Sequence, residues 1–177
     1  MKLKFKLSPL KRAIVSAIAL GFTILGTQSH ADTGTSNMNV SATIKHSCSI
    51  DNTPMAFGAY DGVVANASTA LDAMATVISS CTSGAAALIT MNAGASAGSS
   101  SDETPVRRMT SGRGEYLVYQ VYSDVSQETI WGNSASQGVA LTGTGLPQSH
   151  IVYGRIPSGQ MVPEGDYSDQ IVVTITY

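Results

Sequence analysis

From residue 37 to residue 50 the chain reads NMNVSATIKHSCSI, and small or apolar side chains alternate with polar ones without a break. Met38, Val40, Ala42, Ile44, His46, Cys48 and Ile50 fall on one face, and Asn, Ser, Thr and Lys residues on the other. A period of two is the pattern of a strand with one buried face. At about 3.3 Å per residue the run would reach roughly 46 Å. A typical strand spans only about 17–20 Å. Half of this run therefore needs a second surface to bury against.

The chain begins MKLKFKLSPLKR, with five cations and no acid, followed by the apolar AIVSAIALGFTILG and the small-x-small triplet Ser29-His30-Ala31. That order predicts a secretory signal peptide over residues 1–31. The remaining 146 residues suit one domain. All twelve acids but only five of the ten Lys and Arg lie after residue 31, so the exported part is seven charges negative. Five scattered cations argue against nucleic acid as a partner and against a polybasic lipid-binding surface. Two cysteines in an exported chain, Cys48 and Cys81, predict one disulfide.

No segment after the leader has a helical period. Apolar-rich runs are instead separated by Gly, Asp and Ser turns: MAFGAY (55–60), ALDAMATVISSC (70–81), AAALITMNA (85–93), EYLVYQVYSD (115–124), HIVYGRI (150–156) and SDQIVVTITY (168–177). GASAGSSSDET (94–104) is a loop by composition. The pattern predicts an all-β sandwich. In the last run Ile171, Val173, Ile175 and Tyr177 share one face, and nothing in the sequence follows to pair with that strand. A long hydrophobic edge is an aggregation hazard that proteins normally cover. One end of the chain has surplus strand and the other a bare strand edge. Within one molecule the first could close the second; between molecules, the same pairing makes a head-to-tail polymer.

The motifs CSI, FGAYDG, ISSCT, VRRM, YLVYQVYSD, IWGN, VYGRIPSGQ and EGDYSDQIVVTITY, in that order and spacing, resemble the spore coat protein U domain. This is the subunit domain of archaic (Csu-type) chaperone–usher pili. The resemblance covers nearly all of the chain after the leader. It implies an incomplete immunoglobulin-like β-sandwich lacking its final strand, completed by donor-strand complementation. It also implies a periplasmic pilus chaperone, an outer-membrane usher and neighbouring pilin subunits as partners, and a cell-surface pilus as the destination. On this reading residues 32–43 are a donor-strand extension and residues 44–177 the pilin domain. Met38, Val40, Ala42 and Ile44 form the donor face. Ile171, Val173, Ile175 and Tyr177 lie on the strand lent first to the chaperone and then to a neighbour. The chain is expected to be a shaft or adaptor subunit, with a tip-proximal minor adhesin as the alternative.

Other candidates carry less. Trp131 reads as packing or a turn anchor, and Arg107 and Arg108 as a solvated pair beside the Ser/Gly loop. Gly143-Thr144-Gly145 lacks the strand-to-helix setting of a phosphate loop. His46 and His150 have no metal-ligand spacing, and no nucleophile-elbow motif is present. No catalytic, metal or cofactor site is expected. Asn39 and Asn66 match the glycosylation pattern by chance.

Overall fold

The turn-punctuated runs become eight strands in a computed structural model, which describes residues 30–98 and 105–177. The expected signal peptide lies almost entirely outside those residues. Residues 42–177 form one unit and residues 1–41 another. Of the latter, residues 30–41 are described; they are exposed and without regular structure.

The strands are β1 (Cys48–Asn52), β2 (Leu71–Cys81), β3 (Ala86–Met91), β4 (Arg107–Thr110), β5 (Tyr116–Tyr122), β6 (Val139–Thr142), β7 (Pro147–Ile156) and β8 (Val173–Thr176). They form two antiparallel sheets, ordered β1-β2-β7-β5-β4 and β6-β3-β8. The period of two sets which side chains meet between the sheets. Val77 on β2, Leu117, Tyr119 and Val121 on β5, and Val152 and Ile156 on β7 face Ile89 and Met91 of β3. Central β3 is buried on both faces towards its end, at Ile89, Thr90 and Met91, which explains its unbroken apolar run.

Trp131 is fully buried, as expected of a packing residue. Its Nε1 donates to the Ile89 carbonyl at 2.9 Å and its main-chain N–H to the Val121 carbonyl at 3.1 Å, so one residue ties both sheets together. Cys48 and Cys81 are bonded, and they face each other in the β1–β2 register.

The strand expected over residues 37–50 is shorter than its alternation. It begins at Cys48, and Ile44 is 84% exposed. Alternation prepares a face but does not supply a neighbour, and a strand exists only where its peptide groups find one. Residues 55–60 likewise have no regular structure, and the last run is paired as a strand only at Val173–Thr176. Arg107 corrects the expectation of a solvated pair: it has no exposed surface at all.

Candidate functional site: an open groove between two rims

The two sheets do not close along one side. β8 is an edge strand, hydrogen-bonded to β3 alone, and β1 is the edge of the other sheet. Between the chain that follows β1 and the chain that leads into β8 two cavities, of about 960 and 470 Å³, share Met55, Phe57, Met109 and Tyr167 in their walls and so form one groove. The smaller reaches core residues Val77, Met91, Tyr119, Val121 and Val152. A sandwich whose central core is reachable from outside is missing a layer of side chains.

The first rim continues from β1. Thr53 N–H donates to the Thr76 carbonyl at 2.9 Å, and beyond it the main-chain groups of residues 54–59 meet no partner among the described residues. Met55, Phe57 and Tyr60 turn inward and are partly buried against the core. Gly154 permits this approach. A Cβ there would lie 2.2 Å from Met55 Sδ and 2.8 Å from Phe57 Cζ.

The second rim is the chain leading into β8. Asn92 N–H donates to the Val172 carbonyl (3.1 Å), and Val172 N–H donates to Asn92 Oδ1 (2.8 Å). Bonded and non-bonded pairs alternate along an antiparallel ladder. In the pairs Met91↔Val173 and Ile89↔Ile175, the peptide groups of Val173 and Ile175 therefore face the open side. The side chains of Ile171, Val173 and Ile175 pack against the core. Ile171 and Val173 thus line the groove, and Val173 and Ile175 turn unpaired N–H and C=O groups towards its open side. Tyr177, expected on this inner face, is 58% exposed, because the β3 pairing ends at Thr176.

At one end the rims are joined. Tyr60 Oη donates to the Pro157 carbonyl (2.8 Å) and accepts the Gln160 N–H (2.9 Å). The Gln160 side chain pairs with both the N–H and the carbonyl of Val118, at 2.8 and 2.9 Å, as a neighbouring strand would. Midway along, Asp169 holds the second rim. Its Oδ2 accepts the buried Tyr119 hydroxyl at 2.7 Å and its Oδ1 the Ser96 N–H at 3.0 Å. Burial, followed by the bond to Asp169, holds the Tyr119 hydroxyl far above the usual phenol range. Gly94, at φ +91°, approaches so closely that a Cβ would lie 2.0 Å from Asp169 Oδ2.

Arg107 braces the floor behind. Its guanidinium donates to the carbonyls of Met91 (3.1 Å), Asn92 (2.7 and 3.0 Å) and Trp131 (2.8 Å), and to Gln120 Oε1 (2.5 Å). Burial pushes its pKa down to about 10, opposed by Tyr119 and Asp169, so it remains charged at neutral pH. Arg108 is half-buried, 4.0 Å from the Tyr116 ring centroid, and donates to the Ser96 and Ala97 carbonyls.

The proposed donor residues Met38, Val40 and Ile44 are 87%, 88% and 84% exposed, and Ala42 is exposed as well. Exposed apolar residues at every second position are unlike an ordinary linker. His46 is exposed; His150 faces inward, its Nε2 3.0 Å from Ser79 Oγ. Asn66 is buried, with its amide donating to the Thr69 carbonyl. Sequence reasoning missed Tyr119, Asp169 and Arg107 as groove supports. Asp169 was accessible to it, since it continues the inward parity of residues 171, 173 and 175.

Fold and groove together define an incomplete immunoglobulin-like sandwich, open along the edge of its last strand. The Spore Coat Protein U domain model matches residues 34–174, and the chain belongs to that family. Protein U of Myxococcus xanthus is 36% identical over 179 residues, spanning 97% of this chain and all of that protein. A chain in the crystal structure of the CsuC–CsuE chaperone–tip adhesion subunit pre-assembly complex, from the archaic chaperone–usher Csu pili of Acinetobacter baumannii, has the same fold. The TM-score is 0.56 at 17% identity, over 76% of this chain and 40% of that one.

Proposed function

We propose that this chain is a structural subunit, shaft or adaptor, of an archaic chaperone–usher pilus that polymerises by donor-strand exchange into a fibre for adhesion and biofilm formation. The observation that carries the reading is the groove: apolar side chains such as Met55, Phe57 and Met109 in its walls, a reachable core and unpaired peptide groups on both rims. An extended segment with alternating apolar side chains satisfies all three, and residues 32–43, with Met38, Val40, Ala42 and Ile44 on one face, are such a segment. The domain proper begins at residue 44. The strand bearing Ile171, Val173, Ile175 and Tyr177 is paired first by a periplasmic chaperone, then, at an outer-membrane usher, by the next subunit's donor segment. Family membership and the Csu-type fold support this reading. Three large apolar side chains contribute roughly 1.5–3 kcal/mol each on burial, comparable to the roughly 4–15 kcal/mol that association costs. The β-ladder and a prepared groove supply the surplus.

The test is to purify surface material from cells expressing the chain and cross-link it. A ladder of head-to-tail multimers in which residues 36–43 of one copy are linked to the groove rims of another supports the proposal. Monomers alone, or links elsewhere, overturn it. Gold labelling along the fibre or only near its tip then separates shaft from adaptor.

A further inference from the structure

Resting on that reading, we infer that the carboxylate of Asp169, locked by Tyr119, is a positioning device that holds the empty groove in a strand-accepting shape. The second rim has a neighbour on only one side. Between Ser168 and Val173 its ladder is intermittent, made through Thr110, Ala95 and the main-chain N–H and side chain of Asn92. A strand held so sparsely, with core-facing Ile171 and Val173, would be drawn into the open groove and close it. Asp169 opposes this collapse. It sits two residues before Ile171 on the inward side, and its two oxygens are held from different elements, Oδ2 by β5 and Oδ1 by the loop after β3. Gly94, having no Cβ, leaves free the space that the carboxylate occupies. A carboxylate is suited to this task. Once hydrogen-bonded it accepts two donors at fixed angles, and moving it into an apolar groove without them is costly.

Once a donor strand fills the groove, the rim is paired on both sides and the lock becomes redundant. The lock should therefore govern uptake more than the stability of the finished complex. A residue that served only the core would affect both alike.

The experiment uses the full exported chain, a synthetic peptide of residues 34–46 as donor, and the variants Tyr119→Phe and Asp169→Asn. Peptide uptake is followed by fluorescence anisotropy, and the melting temperature is recorded with and without peptide. In Tyr119→Phe, uptake should slow about tenfold or more, the size expected of one lost hydrogen bond to a charged group. Its melting temperature should fall further in the empty chain than in the peptide complex. Asp169→Asn, which keeps one acceptor oxygen, should lie between Tyr119→Phe and wild type. Equal melting losses with and without peptide, or unchanged uptake in both variants, would overturn the lock while leaving donor-strand exchange intact. Failure of the wild type to bind the peptide would overturn both.

Discussion

Arg107 takes the main-chain oxygen of Asn92 with two of its nitrogens, and Asn92 offers its side-chain oxygen to Val172 in place of the carbonyl it has given up. The groove strand thus hangs from an amide side chain that a buried guanidinium has released for the purpose. Replacing Arg107 with Met should leave three carbonyls without this donor, at roughly 1–3 kcal/mol for each one left unsatisfied. We expect a loss of about 3 kcal/mol or more in urea unfolding. Arg108→Met, one residue away, removes a half-exposed stacking contact and should cost far less, on the order of 1 kcal/mol. Equal losses would mean that the buried network contributes nothing particular.

The disulfide encloses a loop set by a separation of 33 residues. The chain-entropy account gives about 4 kcal/mol for a loop of that size. The protein should weigh two hydrogens less than its dithiol by intact mass, with no thiol available to alkylation. Cys48→Ser should lower the steady-state level of the protein in cells.

On the proposed donor-strand reading, Val40→Asp should leave the subunit folded and remove fibres. Val40 is exposed in the free chain, so the charge costs little there. In a neighbour's groove it would be an unpaired buried carboxylate, at a cost of several kcal/mol. Asn39→Asp, on the opposite face, should be much milder. Periplasmic chaperone-bound subunit and surface fibres are the two quantities to compare. Loss of both in Val40→Asp, or of neither, would show that residues 36–43 are not the donor strand.

His150 gives the fold a pH dependence. Burial depresses its pKa below the ordinary value near 6.5. The folded state therefore resists the proton that the unfolded chain accepts. The associated stability is fully present above the unfolded value and declines as pH falls towards the depressed one. Urea midpoints for wild type and His150→Gln, measured between pH 8 and 5, should diverge at the acid end, with wild type losing more. Parallel curves would show that the imidazole is not the group responsible.

Much of the scaffold was legible in the sequence. The Tyr- and Val-rich composition of YLVYQVYSD and the weak alternation of ALDAMATVISSC placed β5 and β2 nearly to the residue. Strands β4 and β6, four residues each, are too short to show a period. The end of residues 37–47 as a strand could not be read, since the pattern records what a segment could bury and not whether a neighbour is present. Arg107 looked like a surface cation because charged residues are rarely fully buried. Its acceptors at Met91, Asn92 and Trp131 come from 15 to 24 residues away and are main-chain atoms, which leave no trace in side-chain composition.

The bond between Cys48 and Cys81 joins the first residue of β1 to the last of β2, beside a clip in which Ser47 N–H donates to Thr82 Oγ1 and Ser47 carbonyl accepts the Thr82 N–H. Tension along residues 42–47 therefore enters the domain at a covalent crosslink. β1 is an edge strand of five residues and could be peeled one hydrogen bond at a time. The crosslink routes the load past it into β2, which is flanked by β1 and β7 and paired with β7 from Leu71 to Ser80. A pull along the strand direction then loads that long ladder in shear, so the segment before Cys48 is anchored more firmly than the length of β1 alone would allow.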